Sequence, residues 1–325
     1  MSVSDQLAPV LAAGGSELSR QLHRTEMRLL EVADGGGPAL GRSASATLSA
    51  GGKRLRPLLV FLCGGSGEGL VESAAAVELL HMATLVHDDV LDAAPLRRGQ
   101  PTVFAAAGRD AATATGDLLF SRAFAELAST GSEAAVSALS EASSALARGE
   151  LIQREDAWSD SVTPERYIER CRLKTASLFS AACRLGALFG EGGSGSGEIL
   201  AGFGLRIGLA FQILDDVLDV SGPSERTGKH RGTDLLDGTV TLPLIVARRR
   251  DPELAAMDLR ALVSEPAQAA AVCDRIVLSG ALSEAREQAL GHVAEAKAAL
   301  NSAELPPHRR EALDLVADGV VERYA

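Results

Sequence analysis

Pro-free stretches in which apolar residues return every three to four positions constrain this chain more than any other feature. They run over about residues 15–33, 70–92, 109–129, 132–156, 165–189, 197–220 and 281–301. That spacing gathers an apolar stripe on one face of an α-helix. The strict alternation of a half-buried strand is nearly absent. A chain patterned this way folds as helices packed on helices, so the fold class expected is all-α. Aromatics make up only 3% of residues while alanine and leucine dominate, which suits close helix packing better than a β-sandwich. One domain over residues 1–325 is the economical reading. Glycine-rich breaks fall at Gly35–Gly36–Gly37, at Gly64–Gly65 and at "GEGGSGSGE" from Gly190 to Glu198. The last is the most linker-like, but helices of the same character flank it, and a split near residue 194 has no shift in composition behind it.

Charge and cysteine usage narrow the function. With 32 Lys and Arg against 43 Asp and Glu the net charge is -11, which argues against a general nucleic-acid binder. An anionic ligand must then be held locally, by clustered bases or by metal. Cys63, Cys171, Cys183 and Cys273 form no C-x-x-C pair and read as small core residues in a reducing compartment. No run of 18 or more apolar residues occurs, so no integral membrane segment is expected. The first residues lack the basic start of a signal peptide and carry Asp5 and Glu17, so a cytoplasmic location is expected.

Opposed charges crowd into "LVHDDVLDAAPLRRG", Leu85 to Gly99. On a helix Asp88 and Asp92 share a face with Asp89 one step round, and His81 and Thr84 continue the polar stripe. The flanking residues Val77, Leu80, Leu85 and Val86 are apolar, so this helix is expected to be buried. Adjacent buried carboxylates cost several kcal/mol unless paired. A hard cation that shares its shell with phosphate oxygens relieves that cost. The alternative is an acidic helix end neutralised by Arg97 and Arg98. "FQILDDVLDV" repeats the pattern with Asp215, Asp216 and Asp219, preceded by Gly208 and Gln212 on a compatible polar stripe. Two such copies weigh against a pair of solvated helix ends. "GGKRLRP" brings Lys53, Arg54 and Arg56 to a helix entry where Pro57 suits the first turn, an arrangement that favours phosphate. "RLKTASLF" adds Lys174 and Thr175, and "GTDLLDGTVTLPLI" follows Lys229.

In order and spacing, GGKRLRP, LLHMATLVHDDVLDAAPLRRG, KTASLF, FQILDDVLD and TDLLDGTVTLP resemble the trans-isoprenyl diphosphate synthases, also called polyprenyl synthetases. The resemblance implies an isoprenoid synthase-type helix bundle around a deep central cavity, usually a homodimer. It implies three Mg²⁺ ions, with Mn²⁺ able to substitute, and elongation of an allylic prenyl diphosphate by isopentenyl diphosphate. Carried over by position, Lys53, Arg56, His81 and Arg98 resemble the residues that hold isopentenyl diphosphate. Asp88 and Asp92 resemble ligands of two Mg²⁺ ions, with Asp89 in support. Asp215 resembles the main ligand of the third, with Asp216 and Asp219 nearby. Arg97, Lys174, Thr175, Gln212 and Lys229 resemble groups on the allylic side. Thr239 stands where family members often carry a lysine.

The chemistry suits these residues. An allylic cation forms when its diphosphate leaves with the developing charge neutralised, and the isopentenyl double bond must sit close by. The proton lost afterwards can go to the departing diphosphate, and no Ser/His/Asp or Cys/His constellation is visible or required. A terpene cyclase has no use for the second diphosphate site that GGKRLRP supplies, and a non-catalytic subunit of a heteromeric synthase usually lacks aspartates that this chain keeps. Product length should follow from the residues four, five and eight positions before Asp88, namely Thr84, Ala83 and Leu80. Ala83 is small where short-chain members place an aromatic. The expectation is an all-trans product of six to ten isoprene units from a farnesyl or geranylgeranyl primer, the alternative being a short-chain enzyme that stops at farnesyl or geranylgeranyl diphosphate.

Overall fold

The structure is a computed structural model that describes residues 3–34, 41, 43–44, 47–48, 52, 54–97, 99–190, 194–222 and 230–322. Its helices are α1 (Val3–Asp34), α2 (Leu55–Gly64), α3 (Leu70–Leu91), α4 (Val103–Ser129), α5 (Glu133–Glu155), α6 (Pro164–Cys171), α7 (Ser177–Phe189), α8 (Gly197–Ser221), α9 (Thr233–Leu236), α10 (Leu242–Arg250), α11 (Pro252–Ala255), α12 (Leu259–Leu262), α13 (Pro266–Leu278), α14 (Ala281–Leu300) and α15 (Pro307–Glu322). The strands among the described residues are the two-residue β1 (Leu96–Arg97) and β2 (Gln100–Pro101), paired antiparallel. The all-α expectation holds.

The long helices fall where the apolar spacing puts them. Two of the predicted starts, near 15 and 109, mark breaks inside longer helices: Gly15 (φ 75°) interrupts α1 and Gly108 (φ 85°) interrupts α4. Helices α10, α11, α13 and α15 lie outside the Pro-free stretches. Each of these has proline in its first two positions. Proline there removes an N–H that has no intrahelical partner anyway and presets φ, so it opens a helix rather than breaking one.

The chain divides into two compact units whose sequence segments interleave: Met1–Ser143, Leu178–Gly204 and Ala299–Val316 in one, Ser144–Ser177, Leu205–Ala298 and Ala317–Ala325 in the other. No division point falls near residue 194. In the first unit α1, α2 and α4 all pack on α3. Leu79, Leu80 and Ala83 of α3 are fully buried, and each leucine so placed contributes about 1.5–3 kcal/mol of burial. In the second unit α10 packs with α6, α11 and α13, and α9 rests on α13.

Helices α3 and α8 are long and apolar enough to cross a membrane by length and composition. The share of their apolar windows that is buried, 67% and 56%, is what core helices show, and both end in three aspartates. Cys63, Cys171, Cys183 and Cys273 are free and buried, as expected of core thiols.

Candidate active site

Both aspartate motifs stand at the C-terminal ends of their helices, and neither last turn carries a basic residue. A helix C-terminus bears a partial negative charge, so each carboxylate there costs roughly 0.3–1 kcal/mol instead of adding stability. A solvated helix end selected for stability has the opposite charge pattern. The arrangement calls for cations.

The first motif lies in the first unit. Asp92 caps α3, its N–H donating to the Asp88 carbonyl at 2.8 Å. Asp92 is exposed, Asp88 half-buried and Asp89 buried. Asp89 turns inward and accepts a hydrogen bond from Arg97 Nε at 2.8 Å. Arg97 sits on β1, so the hairpin after α3 is fastened to the motif's middle aspartate. Arg97, expected on the allylic side, thus holds Asp89 in place. His81 and Thr84 are both half-buried on α3, and Thr84 Oγ1 donates to the His81 carbonyl at 2.8 Å.

The structure also separates the roles within GGKRLRP. Arg54, in a left-handed conformation (φ 46°), turns into the protein. It donates to Glu78 at 2.7 Å, to the Leu48 carbonyl at 2.9 Å and to Glu26. This buried ion-pair network spends Arg54 on the fold. Arg56 instead places its guanidinium 4.5 Å from the centroid of the Phe179 ring, a cation–π stack that orients it. Lys53, Arg98 and Lys229 lie outside the described residues.

The second motif lies in the second unit, and its middle member again turns inward. Asp216 is 4% exposed and accepts from Tyr167 Oη and from Gln212 Nε2, both at 2.7 Å. Gln212 in turn accepts from Thr175 Oγ1 at 2.7 Å. Three expected site residues are thereby linked in one chain, Thr175–Gln212–Asp216, that ends on the fully buried Tyr167. Asp219 binds the loop that follows: its carboxylate accepts from the N–H groups of Thr233 at 3.1 Å and Asp234 at 3.3 Å, at the start of α9. Asp215 stays exposed.

Lys174 and Thr175 sit on a π-helical turn, Arg172–Ala176, set between α6 and α7. Single π-turns inside helices concentrate at functional sites because the extra residue re-aims neighbouring side chains. Lys174 forms an ion pair with Glu150 of α5. The loop carrying Thr239 is fastened by Trp158. That residue, strained at φ 64°, donates its N–H to the Gly238 carbonyl at 2.8 Å and lays its indole on Gly238.

Burial, and then the nearby Asp234, push the Asp216 carboxyl up to about 8, against the donors Tyr167 and Gln212. Asp219 is pushed the same way by burial, Asp234 and Asp216. Three carboxyls, those of Asp216, Asp219 and Asp234, thus crowd one region with poor access to solvent. Among the described residues, however, no three His, Cys, Asp or Glu side chains are gathered closely enough to hold a metal by themselves. Oxygen donors in ones and twos fit a hard cation that completes its shell with substrate oxygens and water.

Sequence reading missed Tyr167, Glu150, Trp158 and Asp234. Tyr167 and Trp158 had one available signal, rarity, since the chain holds two tyrosines and one tryptophan. Asp234 lay in a quoted motif without a role, and Glu150 in a helix read only for its apolar spacing.

Comparison with known proteins identifies the family and the fold. Residues 38–277 match the polyprenyl synthetase family. The heptaprenyl diphosphate synthase component 2 of Geobacillus stearothermophilus is 39% identical over 276 residues, 84% of this chain and 86% of that one. A geranylgeranyl diphosphate synthase of Methanosarcina mazei is 32% identical over 293 residues, covering 87% and 90%. The crystal structure of a polyprenyl synthase from Caulobacter crescentus complexed with calcium and isoprenyl diphosphate superposes with a TM-score of 0.88 at 35% identity, covering 100% of this chain and 98% of that one. The fold is that of an isoprenyl diphosphate synthase. This chain belongs to the polyprenyl synthetase family and is a prenyltransferase.

Proposed function

We propose that this enzyme elongates a farnesyl or geranylgeranyl diphosphate primer with isopentenyl diphosphate to an all-trans product of six to ten isoprene units, using three Mg²⁺ ions. The observation that carries the metal reading is the two sets of carboxylates at negative helix ends, each with its middle member tied inward. Asp88 and Asp92 hold two of the ions and Asp215 the third, with Asp219 beside it. Asp89 and Asp216 act one step back and set the aim of their neighbours. Bound there, the ions neutralise the charge that develops on the departing diphosphate.

The chain's own groups do the rest. Lys174, Thr175, Gln212 and Lys229 orient the allylic diphosphate, with Arg97 acting through Asp89. Lys53, Arg56, His81 and Arg98 hold isopentenyl diphosphate so that its double bond lies near the allylic carbon, a positioning task. Apolar helix faces exclude the water that would quench the cation, and the departing diphosphate accepts the proton at the end. The four free, buried cysteines support a reducing cytoplasmic setting, and a homodimer is the assembly proposed.

The length assignment rests on α3 and α4. Gly116 of α4 lies against the His87 ring so closely that an added Cβ would come within 2.2 Å of it. A short connection makes the two helices antiparallel. Four residues back from His87 is Ala83, and four on from Gly116 is Phe120, so these come level. Leu80 and Phe124 come level one turn deeper. Phe120 and Phe124 stack with centroids 5.2 Å apart. The small side chain of Ala83 supports a path that stays open past the first turn, and Phe124, one turn deeper, is the floor in this reading. Incubation with labelled isopentenyl diphosphate and a set of primers, followed by chain-length analysis, tests this. A wild-type product of three or four units refutes the long-chain reading and leaves the short-chain one.

A further inference from the structure

The turn that carries Lys174 is gripped from α5. Gly149 leaves no room for a side chain: an added Cβ would sit 2.5 Å from the Lys174 backbone nitrogen and 2.8 Å from its Cα. Helix α5 therefore lies directly on the π-turn, backbone to backbone. The next residue, Glu150, is 17% exposed at its side chain and ion-pairs with Lys174, which is 25% exposed. The second hold on Glu150 is Arg154 Nε, at 2.7 Å one turn along the same helix. Although burial opposes it, the carboxyl of Glu150 is held below the usual carboxylate range by Lys174 and Arg154. The next residue of the turn, Thr175, is fastened to Gln212 of α8. Adjacent residues of the turn are thus held from different helices.

An ammonium has three N–H donors and a flexible four-carbon stem. Free, that stem samples many rotamers, and freezing it on binding costs side-chain entropy. A carboxylate that takes one donor leaves two for a ligand and meets that cost before the ligand arrives. We propose that Glu150, seated by the Gly149 contact, is a positioning residue that pre-aims Lys174 at the allylic diphosphate. The proposal rests on the assignment of Lys174 to that diphosphate. It makes Glu150 a partner of the ligand's anchor and not its competitor, since the ammonium serves both at once.

A double-mutant cycle with both substrates' KM values tests this. Glu150→Ala raises the allylic KM roughly tenfold, and Glu150→Gln, which keeps the shape and an acceptor but not the charge, raises it about threefold. The isopentenyl diphosphate KM stays within about twofold in both, and in a Lys174→Ala background Glu150→Ala adds no more than about twofold. Thermal midpoints establish that each variant is folded, and Glu150→Gln carries the test if Glu150→Ala is not. Additive effects in the cycle, a parallel rise in both KM values, or a lowered allylic KM in Glu150→Ala overturns the proposal. If Lys174→Ala is defective and Glu150→Ala is normal, Glu150 alone loses its role. If Lys174→Ala leaves the allylic KM unchanged, the underlying assignment of Lys174 fails and the Glu150 proposal falls with it.

Discussion

Replacing Tyr167 by phenylalanine removes one hydroxyl and nothing else. Tyr167 is fully buried, so the ring keeps its packing and no cavity opens. What is lost is the 2.7 Å hydrogen bond to Asp216. Its worth depends on the charge of the acceptor. Burial and Asp234 hold the Asp216 carboxyl up at about 8, against an ordinary 3.8. A carboxyl raised in this way favours the fold most at pH values below 3.8, and that contribution drains away as pH climbs from 3.8 through about 8. Tyr167 works against the rise, because its hydroxyl favours the ionised form. Its own pKa is pushed up by burial, so it remains a donor throughout. At pH 6 the wild-type bond joins two neutral groups and its loss costs about 1 kcal/mol. At pH 9 the acceptor is ionised and the loss costs ~1.5–3 kcal/mol. Urea unfolding in EDTA-containing buffer at the two pH values, with an unchanged m-value, reads the difference. An equal cost at both, or a larger one at pH 6, refutes the account of Asp216.

Asp88→Ala and Asp215→Ala are expected to lower kcat on the order of a hundredfold or more without lowering the thermal midpoint, since each removes a carboxylate from a negative helix end; near-normal turnover in both would sink the metal assignment. Lys53→Ala should raise the KM of isopentenyl diphosphate on the order of tenfold to a hundredfold while sparing the allylic substrate, and equal effects on the two would remove the division of roles between the basic groups. Ala83→Phe should cut the product to three or four units, as a phenyl ring fills roughly one isoprene unit's volume in a close-packed path. Unchanged product length in a folded variant would mean that the chain grows in another direction.

Much of this molecule was legible before any coordinates. Apolar spacing marked the long helices, because a helix with one buried face must repeat its apolar residues with the helical period. The motif residues could be grouped by type and order, and they led to the family that the comparisons establish. Helices α10, α11, α13 and α15 were not legible as Pro-free stretches, because each begins on or next to a proline. The site divides along the same line. Asp88 and Asp89 are adjacent and of one type, as are Asp215 and Asp216, and nothing local says which member of a pair turns inward. That choice belongs to distant partners: Arg97 on a hairpin for Asp89, and Tyr167, 49 residues away in sequence, for Asp216. Likewise KTASLF announced a lysine, while the π-turn beneath it and the glutamate beside it follow from α5 packing backbone to backbone at Gly149. Periodicity records which face of a helix is buried, one helix at a time. Hydrogen bonds and ion pairs between helices depend on which faces meet, and only the packed structure decides that.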